Sequence, residues 1–341
     1  MMTKPRAKDP PTPAVMFSLI TGRFVSHLID VAARLELADL LKDGPRTVED
    51  LAMAAEVQAP ALYRVLRALA SVGIFAETKG KRFKLTPLAA TLQKGASMRG
   101  VALFCGLPSL SDAWAQLLHG VQTGETPFLK VHGMSHFEYL EKHPEEASIF
   151  NETMTNVSST EIPAIAATYK FSRIRTLVDL GGGHGSLLAT ILQANPKLKG
   201  VLFDQPSVIA SAKQDRHVTK GIAERCTLEA GSFFEAVTKG ADAYMMKSVL
   251  HDWDDEQCTK ILANCRAAMS ENGKILVIES IIVPGNKPDR GKLRDIQMLV
   301  TTGGRERTKE EFATLFRRSG FKLTRVVPTK CPLSIVEGIR A

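Results

Sequence analysis

From Leu177 to Ser207 the chain reads LVDLGGGHGSLLATILQANPKLKGVLFDQPS, and its apolar positions change period twice along that stretch. Leu177, Val178 and Leu180 form a short apolar run ahead of glycines, the pattern of a parallel strand buried on both faces. Leu187, Leu188, Ile191 and Leu192 then fall at helical spacing, and Asn195-Pro196 ends them. Val201, Leu202 and Phe203 make a second strand that closes on Asp204. The alternation continues with strands expected at Thr227–Ala230, Ala243–Met246 and Lys274–Ile278, and with a helix over Gln257–Met269 between the last two. Lys322–Val327 and Leu333–Gly338, around the turn Cys331-Pro332-Leu333, suit an antiparallel pair at a sheet edge. The C-terminal half is therefore expected to be an α/β domain.

The N-terminal half has a different texture. Phe17, Ile20, Phe24, Leu28, Val31 and Leu35 recur every three or four positions from Ala14 to Leu41, marking a long amphipathic helical region whose stripe needs a partner. Gly44-Pro45 breaks it. Thr47, with Asp50 three residues on, opens a helix over Val48–Ala55. A second helix carries Leu62, Val65, Leu66 and Leu69 inward and ends at Gly73. Ile74-Phe75 and Phe83-Lys84-Leu85 flank the basic turn TKGKR as two short strands, so the segment reads as a winged helix. Arg64, Arg67, Lys79, Lys81 and Arg82 would permit phosphate contact. The helix between them is rich in Ala and Leu and offers no Asn or Gln to read bases, so the charges read as a solvated face and no nucleic-acid partner is expected. From Leu88 to Phe171 the pattern is helical, with Phe150, Met154 and Val157 on one face, which spacing alone assigns to core. The division expected is a disordered tail (1–13), a helical and winged-helix part (14–100), a helical segment (101–172) and the α/β domain (173–341).

Composition narrows the class. The 341 residues can build two cores, and 44% hydrophobic with 23% charged residues is usual for a soluble globular protein. No charge-free apolar run approaches a membrane span, and MMTKPRAKDPPTP lacks a signal core, so a cytoplasmic protein without a membrane partner is expected. The five cysteines are scattered and read as reduced core thiols. The net charge of +8 is spread along the chain and singles out no partner.

The glycine loop carries the first chemistry. Glycines stand at 181, 182, 183 and 185, Ser186 follows, and Asp179 precedes them. This is not the G-x-G-x-x-G that seats a pyrophosphate. A carboxylate at 179 would repel phosphate and suits a sulfonium, favouring S-adenosylmethionine over a dinucleotide. Asp204, ending the next strand beside the loop, is placed to accept the ribose hydroxyls. His251 lies just past the fourth strand and Glu279 ends the fifth, so both face the same crevice. A histidine beside a carboxylate can take a proton near neutral pH. His184, inside the loop, suits a cofactor contact better. Asp254, Asp255 and Glu256 open a helix, where the macrodipole favours negative charge, so no metal is needed to explain them.

With LVDLGGGHG, KGVLFDQPSVI, GADAYMMKSVLHDWDDEQC, GKILVIESIIVP and GGRERTKEEF in this order, after GMSHFEYLEKHPEEASIFNETM, the chain resembles the plant caffeic-acid type of S-adenosylmethionine-dependent O-methyltransferases and their bacterial relatives acting on phenolic, polyketide and phenazine metabolites. The resemblance implies a Rossmann-like class I methyltransferase domain behind an all-α, winged-helix dimerisation domain. It implies a homodimer and an aromatic small-molecule acceptor. It makes His251 the general base, flanked by Glu279 and Glu306. Gly181, Gly183 and Asp204 would hold the cofactor, Lys247 and Ser158 its polar edges, and Met154 and Asp252 would face the acceptor. Two departures stand out. Ser232-Phe233 replaces the Asp-Met pair that plant members turn toward the adenine, so Phe233 would stack there instead, and Val157 replaces a pocket histidine. Two other functions fit parts of the pattern: a non-methylating relative with hydroxylase or decarboxylase activity, and a winged-helix DNA-binding regulator that senses a small ligand.

Overall fold

The structure, a computed structural model, describes residues 12–214 and 222–341. Most of the expected 1–13 tail lies outside the described residues, and Pro13 already opens the first helix. The chain divides into two compact units, residues 1–112 with 137–157 and residues 113–136 with 158–341, so the helical segment 101–172 is shared between them.

In the first unit, α1 (Pro13–Arg34) and α2 (Leu37–Leu40) precede strand β1 (Arg46–Thr47), helices α3 (Val48–Ala54) and α4 (Ala59–Ser71), and the hairpin β2 (Ala76–Thr78) and β3 (Arg82–Lys84). The Thr47 side chain accepts from Asp50 N–H at 3.1 Å, the cap that the sequence marks. Leu62, Leu66 and Leu69 of α4 are buried with Leu51, Phe75 and Phe83 in one core. The first hairpin strand lies two residues later than the apolar pattern suggested. Gly73 adopts φ +82 and Ile74 N–H bonds back to Leu69 C=O, so Ile74 and Phe75 finish the helix and fill the core, and pairing starts at Ala76. β1, two residues long, adds to β3 as a third strand that no period-2 pattern announces. Part of the basic face is tied to its own chain, since Arg67 and Lys81 lie over the Tyr63 ring and Arg82 Nη2 donates to Pro45 C=O.

The two ends of α1 differ sharply. Ala32 and Ala33 in its last turn are buried, Ala32 within the first core, whereas Phe17, Ile20 and Phe24 are 68%, 63% and 58% exposed. By length and hydropathy α1 could cross a membrane. Arg23 interrupts the charge-free run, which is why composition alone passed it over.

Helices α5 (Pro87–Ala90), α6 (Arg99–Cys105), α7 (Pro108–Ala115), α8 (Leu117–Thr123), α9 (Pro127–His132), α10 (His136–Lys142) and α11 (Pro144–Thr168) follow. Met154 is 40% exposed, so the expectation of core fails for it, while Phe150 and Val157 are half-buried. The cysteine expectation also needs correction. All five are free, but only Cys258 and Cys265 are buried, and Cys105 is exposed.

The second unit is built on a seven-stranded sheet in the order β6-β5-β4-β7-β8-β10-β9. β4 (Thr176–Leu180), α12 (Ser186–Ala194), β5 (Lys199–Asp204), α13 (Pro206–Gln214), β6 (Cys226–Ala230), β7 (Ala243–Lys247), α14 (Asp255–Ala268) and β8 (Lys274–Glu279) give five parallel strands. Then come α15 (Arg290–Thr301), α16 (Lys309–Arg318), β9 (Phe321–Pro328) and β10 (Ser334–Arg340). β10 runs antiparallel to both β8 and β9 and closes the edge. Alternate strand residues feed two cores. Val178, Leu180, Tyr244 and Met246 pack with Ile261 and Phe316 on one face, while Leu177, Leu202 and Met245 pack with Ile165, Leu188 and Ile191 on the other. Because β5 and β7 flank β4 on opposite sides, the order reverses there, and the crevice beyond the carboxyl ends of β4, β5, β7 and β8 is where an open α/β sheet binds ligands.

Candidate active site

The glycine loop leaves β4 with Gly181, Gly183 and Gly185 at φ +66, +60 and +81, a left-handed backbone that glycine adopts without strain. At Gly182 it is space that requires the small residue, since a Cβ would stand 2.7 Å from Asp179 Oδ2. Gly183 N–H donates to Asp204 Oδ2 at 2.8 Å, and Gln205 N–H donates to Oδ1 at 2.7 Å. The sequence-predicted pair of loop and strand-end acid is thus one hydrogen-bonded unit, with acceptor capacity left on each oxygen.

Beneath the loop Asp179 is 1% exposed, and neither carboxylate oxygen has a hydrogen-bond partner among the described residues. Burial raises its pKa to about 7, Asp204 adds to the rise, and Lys247 opposes it. A buried acid in want of positive charge is what a sulfonium ligand supplies, so the residues present fit S-adenosylmethionine. On the far side of the loop, the Phe233 ring comes within 3.8 Å of where a Cβ on Gly181 would stand. Ser232 Oγ accepts from Phe234 N–H at 3.3 Å, which leaves its O–H free to donate. Lys247, at the end of β7, joins Ser158 Oγ at 3.0 Å and Glu161 Oε2 at 2.9 Å, both on α11. Glu161 was not singled out from sequence, where it sits unremarked in an α-helical run. Met154, in the first unit, is described only there.

The residues expected to do chemistry converge past β7. Ser248 has φ +55, an uncommon conformation for a side chain that bears a Cβ, and the chain then makes a single 3₁₀ turn over Leu250–Asp252 that points His251 inward. His251 is 7% exposed. Its Nδ1 lies 2.9 Å from Glu279 Oε2 and 3.2 Å from Glu306 Oε1, and Asp252 Oδ1 lies 3.6 Å from Nε2. Glu279 is itself fixed, its Oε1 accepting from Val249 N–H at 3.0 Å. Burial opposes charge on the imidazole, but Glu279 and Asp252 outweigh it and raise the pKa to about 10. Asp252 is raised to about 6 by burial, which His251 counteracts.

One member of this cluster was missed altogether. Arg294, on α15, places Nε 2.7 Å from Glu306 Oε1 and Nη2 2.7 Å from His251 Nδ1, and Nη2 also donates to Ser248 Oγ at 3.1 Å. The one local signal was Asp289 capping a helix whose polar face is broad. His251, Glu279 and Glu306 are close enough to hold a metal ion, but the Arg294 guanidinium already stands against two of those donors and supplies the positive charge.

Two residues of GGRER hold the turn. Arg307, 1% exposed, donates to Leu250 C=O at 3.0 Å and Trp253 C=O at 3.1 Å and pairs with Asp255 at 2.8 Å. A Cβ on Gly304 would collide with the His251 carbonyl oxygen and the Asp252 backbone. Asp254 caps α14 by accepting from Gln257 N–H at 2.8 Å.

Comparison with known proteins agrees with this architecture. The O-methyltransferase domain profile matches residues 114–322, and the O-methyltransferase dimerisation domain profile matches residues 17–95. The phenazine O-methyltransferase PhzM of Lysobacter antibioticus is 45% identical over 97% of both chains. The mitomycin biosynthesis 6-O-methyltransferase of Streptomyces lavendulae is 38% identical over 95% of this chain and 93% of its own. Among solved structures, the neocarzinostatin-biosynthesis O-methyltransferase NcsB1, in complex with S-adenosylmethionine and 2-hydroxy-5-methyl naphthoic acid, aligns with a TM-score of 0.82 at 31% identity, covering 93% of this chain and 96% of that one. The chain belongs to this O-methyltransferase family and is an S-adenosylmethionine-dependent O-methyltransferase that carries the family's dimerisation domain.

Proposed function

We propose that the enzyme methylates a hydroxyl group on an aromatic secondary metabolite, working as a homodimer with His251 as general base. The observation that carries this reading is the placement of His251, past the end of β7 in the same crevice as the glycine loop, with Nδ1 2.9 Å from the buried Glu279 carboxylate. Relatives that act on phenazine and mitomycin scaffolds, and one solved with a hydroxynaphthoic acid, support an aromatic acceptor.

The cofactor supplies an activated methyl group on a sulfonium. Asp204 and the loop glycines hold the nucleoside end, Asp179 offers negative charge under the loop, and Lys247 with Glu161 and Ser158 closes the polar edge. Glu279 keeps a proton on Nδ1, which leaves Nε2 to take the acceptor's hydroxyl proton while its oxygen receives the methyl. A ring with a pKa near 10 is about as basic as a phenolate, so that transfer is close to level in energy. Beyond the proton, the chain's contribution is holding the two partners in line. Asp252 is assigned to the acceptor side, and Glu306 steadies His251.

The test is methyl transfer from labelled cofactor to an extract of the source organism, followed by identification of the labelled product. An O-methylated aromatic is expected; a protein that binds cofactor and labels no phenol contradicts the reading.

A further inference from the structure

We propose that Arg294 is a specificity-determining residue that receives an acidic substituent of the aromatic acceptor, next to the hydroxyl that is methylated, and so turns that hydroxyl toward His251. This rests on the reading of His251 as the base and adds the class of acceptor, an aromatic hydroxy acid.

The argument starts from how the guanidinium is spent. Nε is committed to Glu306, and Nη2 donates to Ser248 Oγ and lies 2.7 Å from His251 Nδ1. Nη1 has no hydrogen-bond partner among the described residues, and the side chain is 30% exposed. Glu306 and Glu279 beneath it are 0% and 1% exposed at their side chains. Arg294 is therefore the cation that the cluster turns outward, with Asp252, 18% exposed at its side chain, as the acid nearest the surface and the buried floor acidic beneath. A guanidinium fixed on one edge and open on the other is ready for a carboxylate with little further loss of freedom.

A second observation concerns Ser248. It holds φ +55 just past the end of β7, a conformation that a residue with a Cβ rarely adopts, and from there its hydroxyl accepts from Arg294. Backbone strain here is coupled to the aim of Arg294. The third is the approach to the ring. Arg294 Nη2 stands 2.7 Å from Nδ1, the nitrogen that Glu279 must hold protonated for Nε2 to act as base. Two donors facing each other at that distance repel. An anion received at Nη1 offsets the guanidinium charge beside Nδ1 and so favours the proton that Glu279 holds there, and an acidic acceptor prepares its own base.

The experiment compares 3-hydroxynaphthalene-2-carboxylate with its carboxamide by calorimetry on the full-length enzyme saturated with S-adenosylhomocysteine. The wild type should bind the acid at least tenfold more tightly than the amide. Arg294→Met should bring the two affinities together, and Arg294→Lys should restore part of the difference. A purely structural role for Arg294 would not move the acid-to-amide ratio. An acid that binds no more tightly than the amide, or a preference that survives in Arg294→Met, overturns the proposal. Methylation of some other phenol in a separate assay would leave the methyltransferase reading standing.

Discussion

Asp179 shows at the scale of one residue how function and stability pull apart. Its carboxylate is buried without a hydrogen-bond partner among the described residues, and its pKa of about 7 stands above the unfolded value of 3.8. A raised acid binds its proton more readily when folded, so its contribution to stability is full below about 3.8 and is lost as pH climbs to 7, on the order of 4 kcal/mol across that span at ~1.4 kcal/mol per unit. Asp179→Asn should therefore raise the melting temperature of the cofactor-free protein at pH 8 and change it little at pH 4. The same substitution should weaken S-adenosylmethionine more than S-adenosylhomocysteine, because only the former carries the sulfonium charge. Equal losses for the two would remove Asp179 from charge recognition. Asp204→Ala should weaken both by at least tenfold in calorimetry, since it deletes a charged acceptor and leaves Gly183 N–H unpaired. For His251 the sign is that of a raised base: its contribution to stability is full below 6.5 and is lost as pH rises through about 10. The ring holds a proton at neutral pH, so kcat/KM should climb between pH 7 and 10 as that proton leaves.

At the scale of elements, the base is only as well placed as the turn that carries it. Arg307 binds two carbonyls of that turn, and Gly304 leaves room for its backbone. Gly304→Ala should push the turn aside and depress methyl transfer by tenfold or more while S-adenosylhomocysteine binding, on the other side of the sheet's switch point, persists. Unchanged turnover would show that the turn has slack. The cap at Asp254 is a smaller matter: Asp254→Ala should cost about 1 kcal/mol in urea unfolding. These elements were unevenly legible. The five parallel strands, the glycine loop and the acids ending β5 and β8 could be read because buried parallel strands are nearly pure apolar runs that stop where the crevice begins. Arg294 could not, because α15 is a mostly polar helix and its arginine meets His251 only through tertiary packing. β1 failed for want of length, and Ile74-Phe75 was misread because a helix cap and a strand both use adjacent apolar residues.

For the whole molecule, the exposed stripe of α1 is the feature that one chain leaves unfinished. Phe17, Ile20 and Phe24 are more than half exposed on a helix whose last turn belongs to the core, and residues 17–95 match the family's dimerisation domain. Deleting residues 1–40 would remove Ala32, Leu37 and Ala38 from that core, so surface substitution is the cleaner probe. Phe17→Asp with Phe24→Asp should turn a dimer into a folded monomer in light scattering, and a wild type that is already monomeric would contradict the dimer. The central claim is that His251 takes the acceptor's proton. Its most direct test is the single-turnover rate of methyl transfer from labelled S-adenosylmethionine to an acceptor that the wild type methylates, compared between wild type and His251→Ala from pH 6.5 to 10. The account predicts an unchanged affinity for S-adenosylhomocysteine and a rate about 10²- to 10⁴-fold lower at neutral pH, recovering as the acceptor ionises. A His251→Ala enzyme that turns over near the wild-type rate at pH 7 would contradict it.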